Sequence, residues 1–223
     1  METNELGALF KDRVEAGKHL ASALSSMTNQ NAIVLAIPRG GVVVGYEVAK
    51  ALAIQLDVIV PRKISAPENP ELAIGAVAED GTVVYDSQLV EHLNVSKAYV
   101  NEQSAKQMLE IQCRLRTYRG DSPSQDLKGR IVILVDDGVA TGYTMKAALS
   151  SVRKREARTV IVAVPVAPVT TAEELSKEAD RFVCLYTPEP FHAIGQFYEN
   201  FAQTTDEEVK QLLALAKHLQ KKT

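Results

Sequence analysis

The stretch GRIVILVDDGVATGYTMKAAL, Gly129 to Leu149, sets an unbroken apolar run against two adjacent aspartates, a loop of small and hydroxylated residues, and a helical pattern. An apolar run without polar alternation marks a strand buried on both faces. Asp136 and Asp137 follow it at once. Neighbouring carboxylates repel each other, so something cationic, metal-bearing or polyhydroxylated must satisfy them. Glycines permit close backbone approach, so successive N–H groups of the loop can point into one concavity. The helix start behind them adds partial positive charge, and Thr141 and Thr144 add hydroxyls. Gly138, Val139, Ala140, Thr141, Gly142, Tyr143 and Thr144 therefore read as a phosphate cradle. It is not a P-loop, because GxxxxGK followed by Ser or Thr is absent and the acids come first. Carboxylates beside a phosphate site suit a sugar phosphate, whose vicinal hydroxyls donate to carboxylate oxygens.

The rest of the chain fits such a site into one α/β domain. At 223 residues, 46% hydrophobic and 24% charged, it is long enough for a single well-buried core and ordinary for a soluble globular protein. A net charge of −3 argues against a general nucleic-acid surface, which carries a basic excess. Cys113 and Cys184 form no CxxC, which suits a reducing, cytoplasmic setting and leaves both as small buried apolar residues. The N-terminus lacks a basic region followed by an apolar core, so no secretory signal is expected. The longest apolar run, TVIVAVPVAPV (159–169), is too short to span a bilayer and is broken by Pro165 and Pro168. There is no internal repeat.

Short apolar runs alternate with helical patterns. The spacing of Leu6, Leu9, Phe10, Val14, Leu20 and Leu24 predicts an N-terminal amphipathic helix. Strands are expected at NAIVLAIP (31–38), LDVIVP (56–61), RIVILV (130–135), TVIVAVPV (159–166) and RFVCLY (181–186), with a helix over 42–55. LAIGAVAEDGTVVYD (72–86) reads as a hairpin turning at Asp80-Gly81. Residues 87–119 read as helical, and TTAEELSKEAD (170–180) as a helix opened by a capping threonine. TDEEVKQLLALAKHLQKK (205–222) closes the chain as a helix. This order predicts a doubly wound, mainly parallel sheet flanked by helices. In such folds ligands bind beyond the carboxyl ends of the strands. That directs attention to the loops after Ile37, Val60 and Val135.

The first of these loops holds Pro38, Arg39, Gly40 and Gly41 between strand and helix, a second anion site with a guanidinium beside it. Arg62 and Lys63 leave the second strand together and enter a polar segment punctuated by Pro61, Pro67 and Pro70.

VILVDDGVATGYTM resembles the phosphoribosyl pyrophosphate signature of the type I phosphoribosyltransferases, and Arg39-Gly40-Gly41 resembles their pyrophosphate loop. Together with LFKDRVEAGKHLASAL and RKISAPENPELAIGAVAEDG, these motifs are similar to a bacterial subfamily whose acceptor is unassigned, over roughly Leu9 to Phe201. The resemblance implies one domain over 1–223, with a small hood built from 187–203 and parts of the N-terminal segment. It implies that Asp136 and Asp137 face the ribose hydroxyls, with Mg²⁺ nearby mainly through those hydroxyls or water. Gly138 to Thr144 would hold the 5′-phosphate, and Arg39, Arg62 and Lys63 the pyrophosphate. The segment after Val60 would be a mobile lid that closes over pyrophosphate and excludes water. In relatives the first loop can carry a non-proline cis peptide, which points to Pro38–Arg39. Dimerisation is an expectation of the family.

Where 6-oxopurine transferases keep an acid before Thr-Gly, this chain has Ala140, a departure that argues against hypoxanthine or guanine. Adenine transferases resemble it there, so a purine-like nitrogenous base is the favoured acceptor, with Glu68 or Glu71 of the lid as base. The aromatic segment TPEPFHAIGQFYENF (187–201) either stacks on that acceptor through Phe191, Phe197, Tyr198 and Phe201 or forms an apolar flap. His192 reads as a structural hydrogen-bonder. Two rivals stay open. One is a regulator on the same fold that senses phosphoribosyl pyrophosphate or nucleotides and binds RNA or DNA through RLRTYR (114–119) or RKREAR (153–158). The other is hydrolysis of a ribose phosphate.

Overall fold

A computed structural model describes residues 7–28 and 30–220. Five strands, β1 (Ala32–Ala36), β2 (Gln55–Val58), β6 (Ile131–Val135), β7 (Thr159–Val166) and β8 (Arg181–Tyr186), form one parallel sheet in the order β2-β1-β6-β7-β8. Three more, β3 (Arg62–Ala66), β4 (Asn69–Val77) and β5 (Val83–Tyr85), make a small antiparallel sheet.

The strands read as continuous apolar runs because both faces are covered. Alternate residues separate two cores. Val34, Ala36, Ile133 and Val135 pack with helices α1 (Arg13–Ala23), α2 (Gly40–Leu52), α4 (Lys97–Arg119) and α7 (Asp206–Gln220). Ile33, Leu35, Val132 and Leu134 pack with α5 (Tyr143–Lys154) and α6 (Val169–Glu178). The chain runs outward from β1 to β2 on one side and from β6 to β8 on the other, so the winding reverses between β1 and β6. That gap is where an open α/β sheet offers its binding crevice. Ala36 lies opposite Val135, and the Ile37 N–H donates to Val135 O at 2.9 Å, so the first and third loops leave level with each other.

Several expectations are corrected. Leu9 and Phe10 are not helical: both donate N–H bonds to Phe197 O, and Glu199 N returns one to Phe10 O. Residues 87–119 form two helices, α3 (Ser87–His92) and α4, because Asn94 turns left-handed at φ 51° and Ser96 caps the second. Residues 62–70, expected as a polar loop, pair as β3 and the start of β4. Pro70 is tolerated there because it lies beyond the reach of β5, where its missing N–H is not needed. No threonine caps α6, which starts at Val169 after Pro168 and so holds Thr170 and Thr171 inside its first turn; the Thr171 hydroxyl donates to Ala140 O at 2.7 Å. Cys113 is exposed and Cys184 half-buried, so neither is the buried residue expected. Leu6 and the last lysines, placed in terminal helices from sequence, lie outside the described residues.

Candidate active site

The two loops at the winding reversal touch, and glycine is what lets them. A Cβ on Gly40 would overlap Asp137 Oδ2, and one on Gly41 would come within 2.8 Å of Asp136 Oδ1 and 2.9 Å of Asp136 Cα. Real Cβ atoms do not approach so closely, so both positions exclude any side chain. The Pro38–Arg39 peptide bond is cis, as the resemblance implied. The Arg39 side chain, at the mouth of α2, has no hydrogen-bond or ion-pair partner among the described residues; its carbonyl accepts the Val42 N–H at 3.1 Å.

Donors face this junction from both helix starts. α1, α3 and α4 are capped by the side chains of Asp12, Asp86 and Ser96. Neither α2 nor α5 has a side-chain cap, and α5 begins at Gly142 with φ 80°. Leading N–H groups without a cap are available to an anion. Among the described residues the N–H groups of Ala140, Thr141, Gly142, Tyr143 and Thr144 have no protein acceptor, nor have those of Arg39, Gly40 and Gly41. The hydroxyls of Thr141 and Thr144 are likewise without a described partner. Val139 differs: its N–H donates to Val166 O at 3.0 Å, so it is no free donor. The Tyr143 side chain also points elsewhere, donating to Asp86 Oδ2 at 3.0 Å. Burial and that bond push its phenol up to about 12.

The aspartates are unequal. Asp136 Oδ1 accepts the Asp137 N–H at 2.8 Å and has no cationic partner in contact. Asp137 Oδ2 accepts from Arg13 Nε at 2.6 Å, an ion pair in which both side chains are nearly buried. Burial and the charge of Asp137 raise the Asp136 carboxyl well above its usual range. Burial raises Asp137 too, but the Arg13 guanidinium opposes it there. Arg13 also donates to Ala202 O at 2.7 Å and lies 3.8 Å over the Phe201 ring. Tyr198 donates its hydroxyl to Asp137 O at 2.6 Å.

The aromatic segment is thereby mostly spent. Phe197 and Tyr198 are buried with Phe10 under the end of β7, and Phe201 carries Arg13. Of the two alternatives for this segment, flap packing accounts for these three. Phe191 and exposed His192 remain at the rim. Beside the aspartate loop, an open groove of about 580 Å³ runs between Pro168–Thr170 and Pro188–Phe191.

Arg62 and Lys63 pair with residues outside this junction. Adjacent on β3, they point to opposite faces. Arg62 Nε donates to Gln107 Oε1 of α4 at 3.1 Å, and burial with the neighbouring Arg114 lowers its pKa. Lys63 Nζ lies 3.9 Å from Glu71 Oε2 across the hairpin. Glu68 and Glu71 are exposed. Arg13 was not foreseen from sequence. It stands 124 residues from Asp137, and no spacing rule reaches that far.

A parallel sheet with two glycine-bearing loops and an aspartate pair at its switch point defines a doubly wound α/β domain with its candidate site at the strand ends. The family described as phosphoribosyl transferase domain matches residues 8–201, and the chain belongs to that family. It is similar to proteins from two strains of Mycobacterium tuberculosis, provisionally named phosphoribosyl transferases, at 44% identity over 201 residues. That match covers 90% of this chain but 45% of theirs, so the chain spans about half the length of these curated relatives. A crystal structure of a Thermus thermophilus protein superposes with a TM-score of 0.77 at 44% identity, covering 92% of this chain and 97% of that one. No helix among the described residues is long and apolar enough to cross a membrane.

Proposed function

We propose that this domain binds phosphoribosyl pyrophosphate with Mg²⁺ and transfers phosphoribose to a nitrogenous base, purine-like by preference, releasing pyrophosphate. The observation that carries this reading is the junction itself: two helix starts without side-chain caps, level across adjacent strands, with a carboxylate pair packed against Gly40 and Gly41 of the first. One cradle suits the 5′-phosphate, through the N–H groups of Ala140 to Thr144. The other suits pyrophosphate, through Arg39, Gly40 and Gly41. Asp136, partly buried and without a cation in contact, is the freer of the two carboxylates to accept ribose hydroxyls.

Mg²⁺ fits this donor set indirectly. Among the described residues no three His, Cys, Asp or Glu side chains gather to hold a metal, and Asp137 is already paired with Arg13. Mg²⁺ is commonly held by one or two carboxylates plus substrate phosphates, with several waters retained. Asp136 and Asp137 would hold it through ribose hydroxyls or water, and when bound it offsets charge on the leaving pyrophosphate. The β3–β4 hairpin would close with Arg62 and Lys63 as further cations and Glu68 or Glu71 as base. Closure excludes water from an activated ribose. The groove beside Phe191 is the place for the acceptor.

The regulator reading is disfavoured by its own cations. Arg153 is 3.2 Å from Asp180, Arg155 is 3.0 Å from Glu79, and Arg119 is 3.1 Å from Asp57. These three arginines are paired within the fold, which leaves Arg114, Arg116 and Arg158 to supply any basic face. Calorimetric titration with phosphoribosyl pyrophosphate and Mg²⁺ tests the proposal, wild type against Asp136→Asn/Asp137→Asn. Binding that the double variant loses supports it, and product analysis with candidate bases then separates transfer from hydrolysis. Wild-type protein that binds nothing retires the transferase reading.

A further inference from the structure

We propose that Arg13 is a positioning residue for the ribose site, aiming the Asp137 carboxylate and tying it to the segment 197–202. The inference rests on the transferase reading above and adds to it a residue from the far end of the chain.

Arg13 is held before it reaches the site. It is the first residue of α1, directly after Asp12, whose carboxylate accepts the Glu15 N–H at 2.9 Å. Glu15 in turn accepts the Lys11 N–H at 2.6 Å. These two bonds fix the turn from which the side chain departs. Its planar head then meets three partners in different directions: Asp137 Oδ2 through Nε, Ala202 O through Nη1, and the face of Phe201. A guanidinium engaged on its edge and its face has one orientation, which a lysine ammonium does not share. Asp137 is gripped a second time at its carbonyl by the Tyr198 hydroxyl. Gly40 closes the remaining side, leaving no room for even a methyl group against Asp137 Oδ2.

The arrangement divides labour between the aspartates. Asp137 is fixed from three segments: the start of α1, the first loop and residues 198–202. Asp136 has no such clamp. Asp137 therefore sets the frame against which a ribose hydroxyl is oriented, and Arg13 fixes that frame without touching the ligand. Loss of Arg13 should cost ribose recognition and spare pyrophosphate recognition, which belongs to Arg39 and the N–H groups beside it.

Three probes separate these effects by calorimetry: phosphoribosyl pyrophosphate with Mg²⁺, ribose 5-phosphate, and pyrophosphate with Mg²⁺. Arg13→Gln should weaken the two ribosyl ligands about tenfold to a hundredfold, the range expected for a lost charge-assisted bond. Pyrophosphate affinity should stay within about threefold. Phe201→Leu, which keeps every charge but removes the platform under the guanidinium, should show the same split at about threefold to tenfold, and it carries the test if Arg13→Gln fails to fold. Equal losses for all three ligands would make Arg13 a merely structural residue and overturn the inference. Unchanged ribosyl affinity in a folded variant would do the same while leaving the transferase reading intact. Wild-type protein that binds neither ribosyl ligand overturns the transferase reading and this inference with it.

Discussion

Asp136 carries the electrostatic cost of the site in the absence of ligand. Burial and the neighbouring Asp137 charge raise its carboxyl. A carboxyl raised on folding makes the folded state bind more protons than the unfolded one, so stability falls as pH climbs from the ordinary carboxylate range through the raised value. Asp136→Asn keeps an oxygen for the Asp137 N–H and removes the charge. It should raise the thermal unfolding midpoint near pH 7, and the gain should vanish toward about pH 4, where the wild-type carboxyl is protonated too. Circular-dichroism melts across pH would show this, and a gain independent of pH would contradict it. The glycines give the complementary prediction. Gly40→Ala and Gly41→Ala insert a methyl into space held by Asp137 and Asp136. Each should cost about 1–3 kcal/mol in urea unfolding, as overpacking does, and abolish detectable phosphoribosyl pyrophosphate binding.

The β3–β4 hairpin is a two-part element. Its base is docked on α4 by Arg62 to Gln107 and by the Tyr99 hydroxyl to Ser65 O at 3.1 Å. Its tip from Pro67 to Glu71 is exposed. An exposed pair such as Lys63–Glu71 contributes at most about 1 kcal/mol. Glu71→Gln should therefore leave the unfolding midpoint essentially unchanged while lowering kcat if Glu71 acts as the proposed base. An unchanged kcat passes that role to Glu68. This element was hard to read from sequence because three prolines and two adjacent cations look like a loop, although Ile64 and Ala66 alternate with Lys63 and Ser65 as an antiparallel strand requires. The parallel strands were plain, since burial on both faces leaves an apolar run with little else to mean. Another feature hidden from sequence joins elements: Arg119 at the end of α4 meets Asp57 of β2 and Glu79 beyond β4, all nearly buried. Arg119→Ala would leave the buried Asp57 without a cation and Glu79 with Arg155 alone, and should cost about 3–5 kcal/mol by urea unfolding. A loss below about 1 kcal/mol would show that water reaches them.

Across the whole molecule, what sequence revealed and what it concealed follow distance along the chain. The aspartate loop and the Arg39-Gly40-Gly41 loop were legible because strand, loop and helix start are contiguous and their chemistry is local. Their partnership was legible only through the switch-point rule, which says where such loops meet. Arg13 was not legible as part of the site, and Tyr198 and Phe201 were read as stackers on an acceptor or parts of a flap and not as partners of Asp137 and Arg13, since these contacts join segments far apart in sequence. Phe197 and Tyr198 looked like a stacking surface because aromatic residues suit either task; burial against Phe10 settled them as packing.

The seam between residues 9–11 and 197–200 also imposes an order in time. A chain made from its N-terminus must carry Leu9, Phe10 and Arg13 without their partners until residues 189 positions away from Arg13 have been added. The sheet and both glycine-bearing loops can assemble meanwhile from nearer contacts, for contacts close in sequence form first. The grip on Asp137 is thus completed only after the loops it joins, and a polypeptide that stops short of Ala202 holds both loops without the Arg13–Ala202 bond.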